Sequence, residues 1–275
     1  VCSGAGQPEP RAGLLGAHVT MTYLIRAELV KLLRRKAYFL MVLILAVLVA
    51  MTAFFVVVFP RIAPEAAEGL APVPKPDGYI IGAQQVISQT WFPLILAAMM
   101  LGTEMSSSFW ATSLTREARR LRHVGARLLV LSGASWVAIS AAIAGFALVV
   151  ALGAVGEGAL PGSDWLKIFG SSLLVQVAWV SLGLALVGLL RSVGPAIGAA
   201  LAFSFGESLL GLWRPYRNVS LTANSTALLG TLEGDVFAQM MPGSGISPER
   251  AVIVVVLWTL LGVVLAWWAL AYREP

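Results

Sequence analysis

The chain has 275 residues, 58% hydrophobic and only 12% charged, with a mean hydropathy of +0.84. A soluble globular domain carries about 25% charged residues, so the composition excludes one and predicts an integral membrane protein. The net charge of +5 does not mark a nucleic-acid binder, because the basic residues stand at the ends of apolar stretches and leave no basic domain.

The single cysteine, Cys2, excludes an intrachain disulfide and a thiolate metal cluster. His18 and His123 both lie outside the apolar stretches, which excludes a haem held between two intramembrane histidines. The chain contains no GxxxxGK[ST] and no HExxH, so it is not itself a P-loop ATPase or a zinc protease of that type. Gly243-Ser244-Gly245 reads as a loop turn, since no intramembrane histidine stands by as a base. No catalytic residue and no metal site are predicted.

In chain order, residues 1–20 are rich in Gly, Ala and Pro and lack the basic start and apolar core of a signal peptide. They read as a disordered tail, or as an extension upstream of a natural start at Met21. Residues 22–36 predict an amphipathic interfacial helix. Ile25, Leu29, Leu32 and Leu33 share one face, with Arg26, Glu28, Lys31, Arg34 and Arg35 on the rest.

Crossing the hydrocarbon core takes about 20 apolar residues. Six stretches qualify, at about 37–59, 84–105, 127–152, 166–190, 194–213 and 251–271. The predicted fold class is therefore all-α: a polytopic membrane protein with six transmembrane helices, residues 21–275 forming one transmembrane domain. Pro60, Pro64, Pro72, Pro74 and Pro76 predict an extended loop over 60–83, and Pro93 a kink in the polar first half of the second span. A second loop covers 214–249, and Ser247-Pro248-Glu249 opens the last helix.

Orientation follows from the cations. Arg116, Arg119, Arg120, Arg122 and Arg127 crowd into twelve residues between spans two and three. That side of the membrane collects twelve cations against six on the other. Short loops rich in Lys and Arg stay inside, so both termini are predicted to be cytoplasmic and loops 60–83 and 214–249 extracellular.

Glu207 is the one ionisable residue well inside a span, where a carboxylate must face protein or water. It has two readings: a pathway-lining or gating acid, or a structural acid bonded to a neighbour. Ser204, on its side of the helix, and Gln89, in the polar start of span two, are the other pathway candidates. Gly194, Gly198, Ala202 and Gly206 form a ridge of small residues at four-residue spacing, suited to close helix packing within the chain or across a dimer axis.

Three features together resemble the permease subunit of a type-2 ATP-binding-cassette exporter. The first is the lead-in Ala27-Glu28-Leu29-Val30-Lys31-Leu32-Leu33-Arg34-Arg35-Lys36. The second is the six-span layout with both termini inside. The third is the segment between spans two and three: Glu104, then Leu114-Thr115-Arg116, Arg120 and the closing Arg127. Ser108-Phe109 stands where that family carries a Gly-Thr pair. The resemblance implies that element 106–124 couples the chain to a separate ATPase, through Glu104, Thr115, Arg116, Arg119 and Arg120. It also implies two copies of a P-loop ATPase holding ATP and Mg, and a second permease copy in a homodimer or a related heterodimer. The chain itself would hold no cofactor, do no covalent chemistry and sit in a bacterial cytoplasmic (inner) membrane. Two other readings stand beside it: an ion-coupled transporter or channel using Glu207, and a non-transporting membrane assembly subunit.

Overall fold

The computed structural model describes residues 21–63, 73–106, 120–229 and 245–271. The tail 1–20 and the coupling candidates Thr115, Arg116 and Arg119 lie outside them. The fold is all-α, and six helices are long and apolar enough to cross a membrane. Among the described residues the only β pairing is a single bridge between Pro74 and Val155.

Helix α1 (Met21–Arg34) ends at Arg35, whose extended backbone (φ −87°, ψ 114°) separates it from the first long helix, α2 (Lys36–Ile62). The last turns of α2 widen into a π-helical turn over Phe54–Val58. Pro60 follows, and its missing N–H removes one rung of the ladder at that end.

The second membrane-length helix starts earlier than the sequence predicts. Rather than a loop to residue 83, helix α3 (Lys75–Ile87) begins at Lys75 with Pro76 in its first turn. The chain then breaks at Ser88–Thr90, and α4 (Trp91–Ser106) restarts with Pro93 near its start. Both prolines sit where a helix has no N–H bond to lose. The prolines mark helix starts here, and the kink falls three residues before Pro93.

Helix α5 (Arg120–Gly153) runs longer than its predicted span, so residues 120–124 of the expected coupling element are its first turns. Helix α6 (Gly162–Leu190) leads through a tight turn at Arg191 into α7 (Val193–Leu210). The predicted loop from 214 is partly helical. Short helices α8 (Arg214–Arg217) and α9 (Leu221–Ala227) fold back, and every residue of α9 is buried. The last helix, α10 (Pro248–Ala271), starts at the predicted Ser-Pro-Glu signal.

Helix α6 and the α3–α4 pair form the centre, with 67% of their most apolar windows buried, against 22–28% for the other spans. Helix α6 packs against α4, α5, α7 and α10, and α2 leans mainly on α5. Trp179, Phe92 and Phe146 are fully buried. The close helix approaches run through glycines: a Cβ on Gly183 would lie 2.7 Å from Ala97 Cβ, and one on Gly82 would strike the Phe146 ring. The outward faces of α2, α7 and α10 are covered with exposed Leu, Val, Ile and Phe, which suits helices surrounded by lipid.

Candidate functional site

Two polar clusters interrupt the apolar bundle. The first joins α1, the end of α4 and the start of α5. Glu28, Glu104 and Arg127 are only 7%, 4% and 3% exposed. Arg127 Nη2 donates to Glu104 Oε2, and its Nε stands 3.5 Å from Glu28 Oε1. Lys31 Nζ donates to Glu28 Oε1 at 2.9 Å and to Glu104 Oε1 at 3.2 Å. Next to it, Arg35 Nη1 donates to Met99 O at 3.1 Å and to Thr103 Oγ1 at 2.5 Å. Each of the two carboxylates thus meets both Lys31 and Arg127. Burial alone would raise the Glu28 carboxyl; Arg127 and Lys31 outweigh that and hold it below its ordinary value of 4.5.

This network sets which face of α1 meets the bundle. The buried stripe is Leu24, Glu28 and Leu32, while Leu29 and Leu33, predicted to share a face with Leu32, are exposed. The buried stripe follows the four-residue repeat through Glu28, because the charges on α4 and α5 draw that acid inward. Of the predicted coupling residues, Glu104 is in this network and Arg120 opens α5.

The second cluster lies at the end of the bundle where α7 gives way to α8 and α9. Glu207 is 2% exposed. It accepts from Tyr216 Oη at 2.5 Å, from the Leu221 amide, and from the Thr222 amide at 3.3 Å. Those two amides are the first of α9 and have no partner within their own helix. The Ser220 side chain accepts from Ala223 N at 3.2 Å and completes the cap. Burial, and next the Glu207 carboxylate, push the Tyr216 hydroxyl above its usual range, so it remains a donor at neutral pH.

Ser204, one turn before Glu207, has its hydroxyl 2.5 Å from Thr90 Oγ1 in the break between α3 and α4. Gln89, beside Thr90, is turned to its own segment: its Nε2 donates to Gln85 O at 3.3 Å and its Oε1 accepts from Trp91 Nε1 at 2.7 Å. The three pathway candidates are thus arranged around the same break and turn, and Glu207 spends its acceptors on α8 and α9.

The small ridge faces outward. Gly194, Gly198 and Ala202 are exposed and Gly206 half-exposed. Among the described residues, nothing lies within 4 Å of a Cβ built on Gly194, Gly198 or Gly206. Packing inside the chain uses Gly82, Gly183, Gly188 and Gly262 instead. Among the described residues no group of three or more His, Cys, Asp or Glu side chains converges as a metal site would.

Sequence reasoning singled out Glu104, Arg127 and Glu207. It missed the Thr90–Ser204 contact and the partnership of Glu28 with Arg127, which lie far apart in sequence. The spacing Glu28-x-x-Lys31 was the one local signal for the network. The chain matches no protein-family model and no curated protein sequence.

Proposed function

We propose that this chain is the membrane-spanning subunit of an ATP-driven exporter, paired with a second permease copy and driven by two separate P-loop ATPase subunits. On this reading it is a multi-pass protein of a bacterial cytoplasmic membrane with both termini inside. ATP and Mg belong to the partner, and the chain performs no covalent chemistry.

The observation that carries the reading is the buried Glu28–Lys31–Glu104–Arg127 network. It ties α1 to α4 just before residues 107–119 and to α5 just after them. A push on that intervening segment, delivered by an ATPase, reaches three helices at once, because a packed charged cluster moves as a unit. Arg116, Arg119, Arg120 and Thr115 would then meet the ATPase, with Glu104 anchoring their base. The outward ridge Gly194–Gly198–Ala202–Gly206 supports the second copy, since small ridges let helices approach closely in lipid.

The alternative transporter driven by ions through Glu207 finds less support. A carboxylate that already accepts from a phenol and two amides has little capacity left for a travelling ion.

The test is replacement of Arg116, Arg119 and Arg120 by alanine, with ATPase assembly measured by co-purification and transport by efflux. Loss of both with retained membrane insertion fits the reading. Unchanged assembly and transport would remove the coupling role.

A further inference from the structure

Helices α2 and α5 touch at their two ends and part in between. At one end Tyr38 Oη donates to Ala134 O at 3.3 Å. At the other, Arg61 Nη1 donates to Gly153 O at 2.7 Å, and Val57 Cγ1 lies 3.0 Å from where a Gly153 Cβ would be. Between these contacts is a cavity of about 230 Å³, lined from Val42 to Ala53 on α2 and from Ala138 to Val149 on α5. Every lining residue is Ala, Gly, Val, Leu or Phe. Among the described residues nothing lies within 4 Å of a Cβ built on Gly145, so none of their side chains crosses the gap there.

Such a space is unsuited to water, which needs two to four polar partners. An apolar cavity of about 150 Å³ holds a benzene ring, and this one is larger and elongated. Eleven helical steps at about 1.5 Å each give it a length of roughly 16 Å, about half the ~30 Å hydrocarbon thickness. The neighbouring residues Leu43 and Val47 on α2, and Val137 and Leu148 on α5, are exposed. The groove therefore continues the outward apolar surface of the bundle.

We propose that this groove binds one acyl chain of a membrane phospholipid, which fills the gap and holds α2 off α5. The proposal rests on reading the six long helices as membrane spans. The lipid acts as a wedge: it supplies the dispersion contacts that Ala46, Ala50, Ala142 and Gly145 are too small to make across the gap.

The test uses the full chain reconstituted in bilayers of phosphatidylcholine carrying a diazirine midway along one acyl chain. Irradiation is followed by mapping of the labelled peptides. The α2 peptide around Ala46 and Ala50 should be labelled severalfold more than the outer face of α10 around Val256 and Val264. The double substitution Ala142→Leu and Gly145→Leu, which fills the groove from the α5 side, should lower α2 labelling severalfold and leave α10 labelling unchanged. The α10 signal also reports that the variant still inserts. Equal labelling of α2 and α10, indifferent to the substitutions, would overturn the site and leave only ordinary surrounding lipid. An unlabelled α2 beside a labelled α10 would also overturn it and would point to a second copy covering the groove. Labelling of neither helix would overturn the membrane reading itself.

Discussion

Arg127 on α5 is ion-paired with Glu104 near the end of α4, and both side chains are almost completely buried. The pair closes the base of the segment that links the two helices, and Glu28 and Lys31 bind α1 to the same point. The lead-in helix therefore packs on the same charges that join α4 to α5.

Removing one partner of a buried ion pair leaves an uncompensated charge and typically costs about 3–5 kcal/mol. Arg127→Ala is expected to destabilise the detergent-solubilised protein by that order, read as a fall in the thermal unfolding midpoint by tryptophan fluorescence. Glu104→Gln combined with Arg127→Met removes both charges and should cost clearly less. Equal losses for the single and double variants would mean the pair carries no special weight.

The pH dependence follows from Glu28. Its folded value is held below 4.5 by Arg127 and Lys31. Its contribution to stability is therefore fully present above that pH and is lost as pH falls through the lowered folded value. The protection factor of the amides over residues 21–34, exchange corrected for its own pH dependence, should be high at pH 6 and fall below about pH 4.5. Glu28→Gln should exchange faster at pH 6 and lose that acid step. A step of full size in the Gln variant would assign it to another acid.

Glu207 caps α9 in this structure, so Glu207→Ala should act first on local order. The amides of Leu221 and Thr222 and the Tyr216 hydroxyl would lose their acceptor. Each buried group left unpaired costs about 1–3 kcal/mol. Exchange over 220–227 is expected to rise sharply, while Tyr216→Phe, which removes one bond only, has a smaller effect. If Glu207→Ala instead abolished transport with α9 exchange unchanged, the pathway role would regain the lead.

The glycines separate folding from association. Gly183→Leu drives a side chain into Ala97 and the Leu94 backbone and should destabilise the monomer by roughly 1–3 kcal/mol or more. Gly198→Leu points into open space. It should leave the unfolding midpoint unchanged while weakening self-association, measured by crosslinking in bilayers. Undiminished crosslinking in Gly198→Leu would place the second copy elsewhere.

The six long helices were legible in the sequence because a membrane span announces itself by length and apolarity alone. Segment 73–93 was harder. Its prolines look like loop residues, yet Pro76 and Pro93 occupy first turns, where a helix tolerates them. Segment 221–227 (LTANSTA) has no apolar period, and its burial depends on Glu207 supplying a cap from another helix. The face that α1 buries depends on charges more than 70 residues away, at Glu104 and Arg127. Local periodicity carries no trace of such partners, so the sequence pointed to Glu28 through its polar face and its spacing to Lys31 but not to Glu104 or Arg127 as its neighbours. Residues 115, 116 and 119 were named from the sequence alone and lie outside the described residues.

The central claim, an ATP-driven permease, is tested most directly by purifying the tagged chain from its native membrane in gentle detergent and identifying its companions by mass spectrometry. A soluble P-loop ATPase is expected in stoichiometric amount with the chain. Recovery of the intact chain without any ATPase would contradict it and shift the weight to a transporter centred on Glu207 or to an assembly subunit.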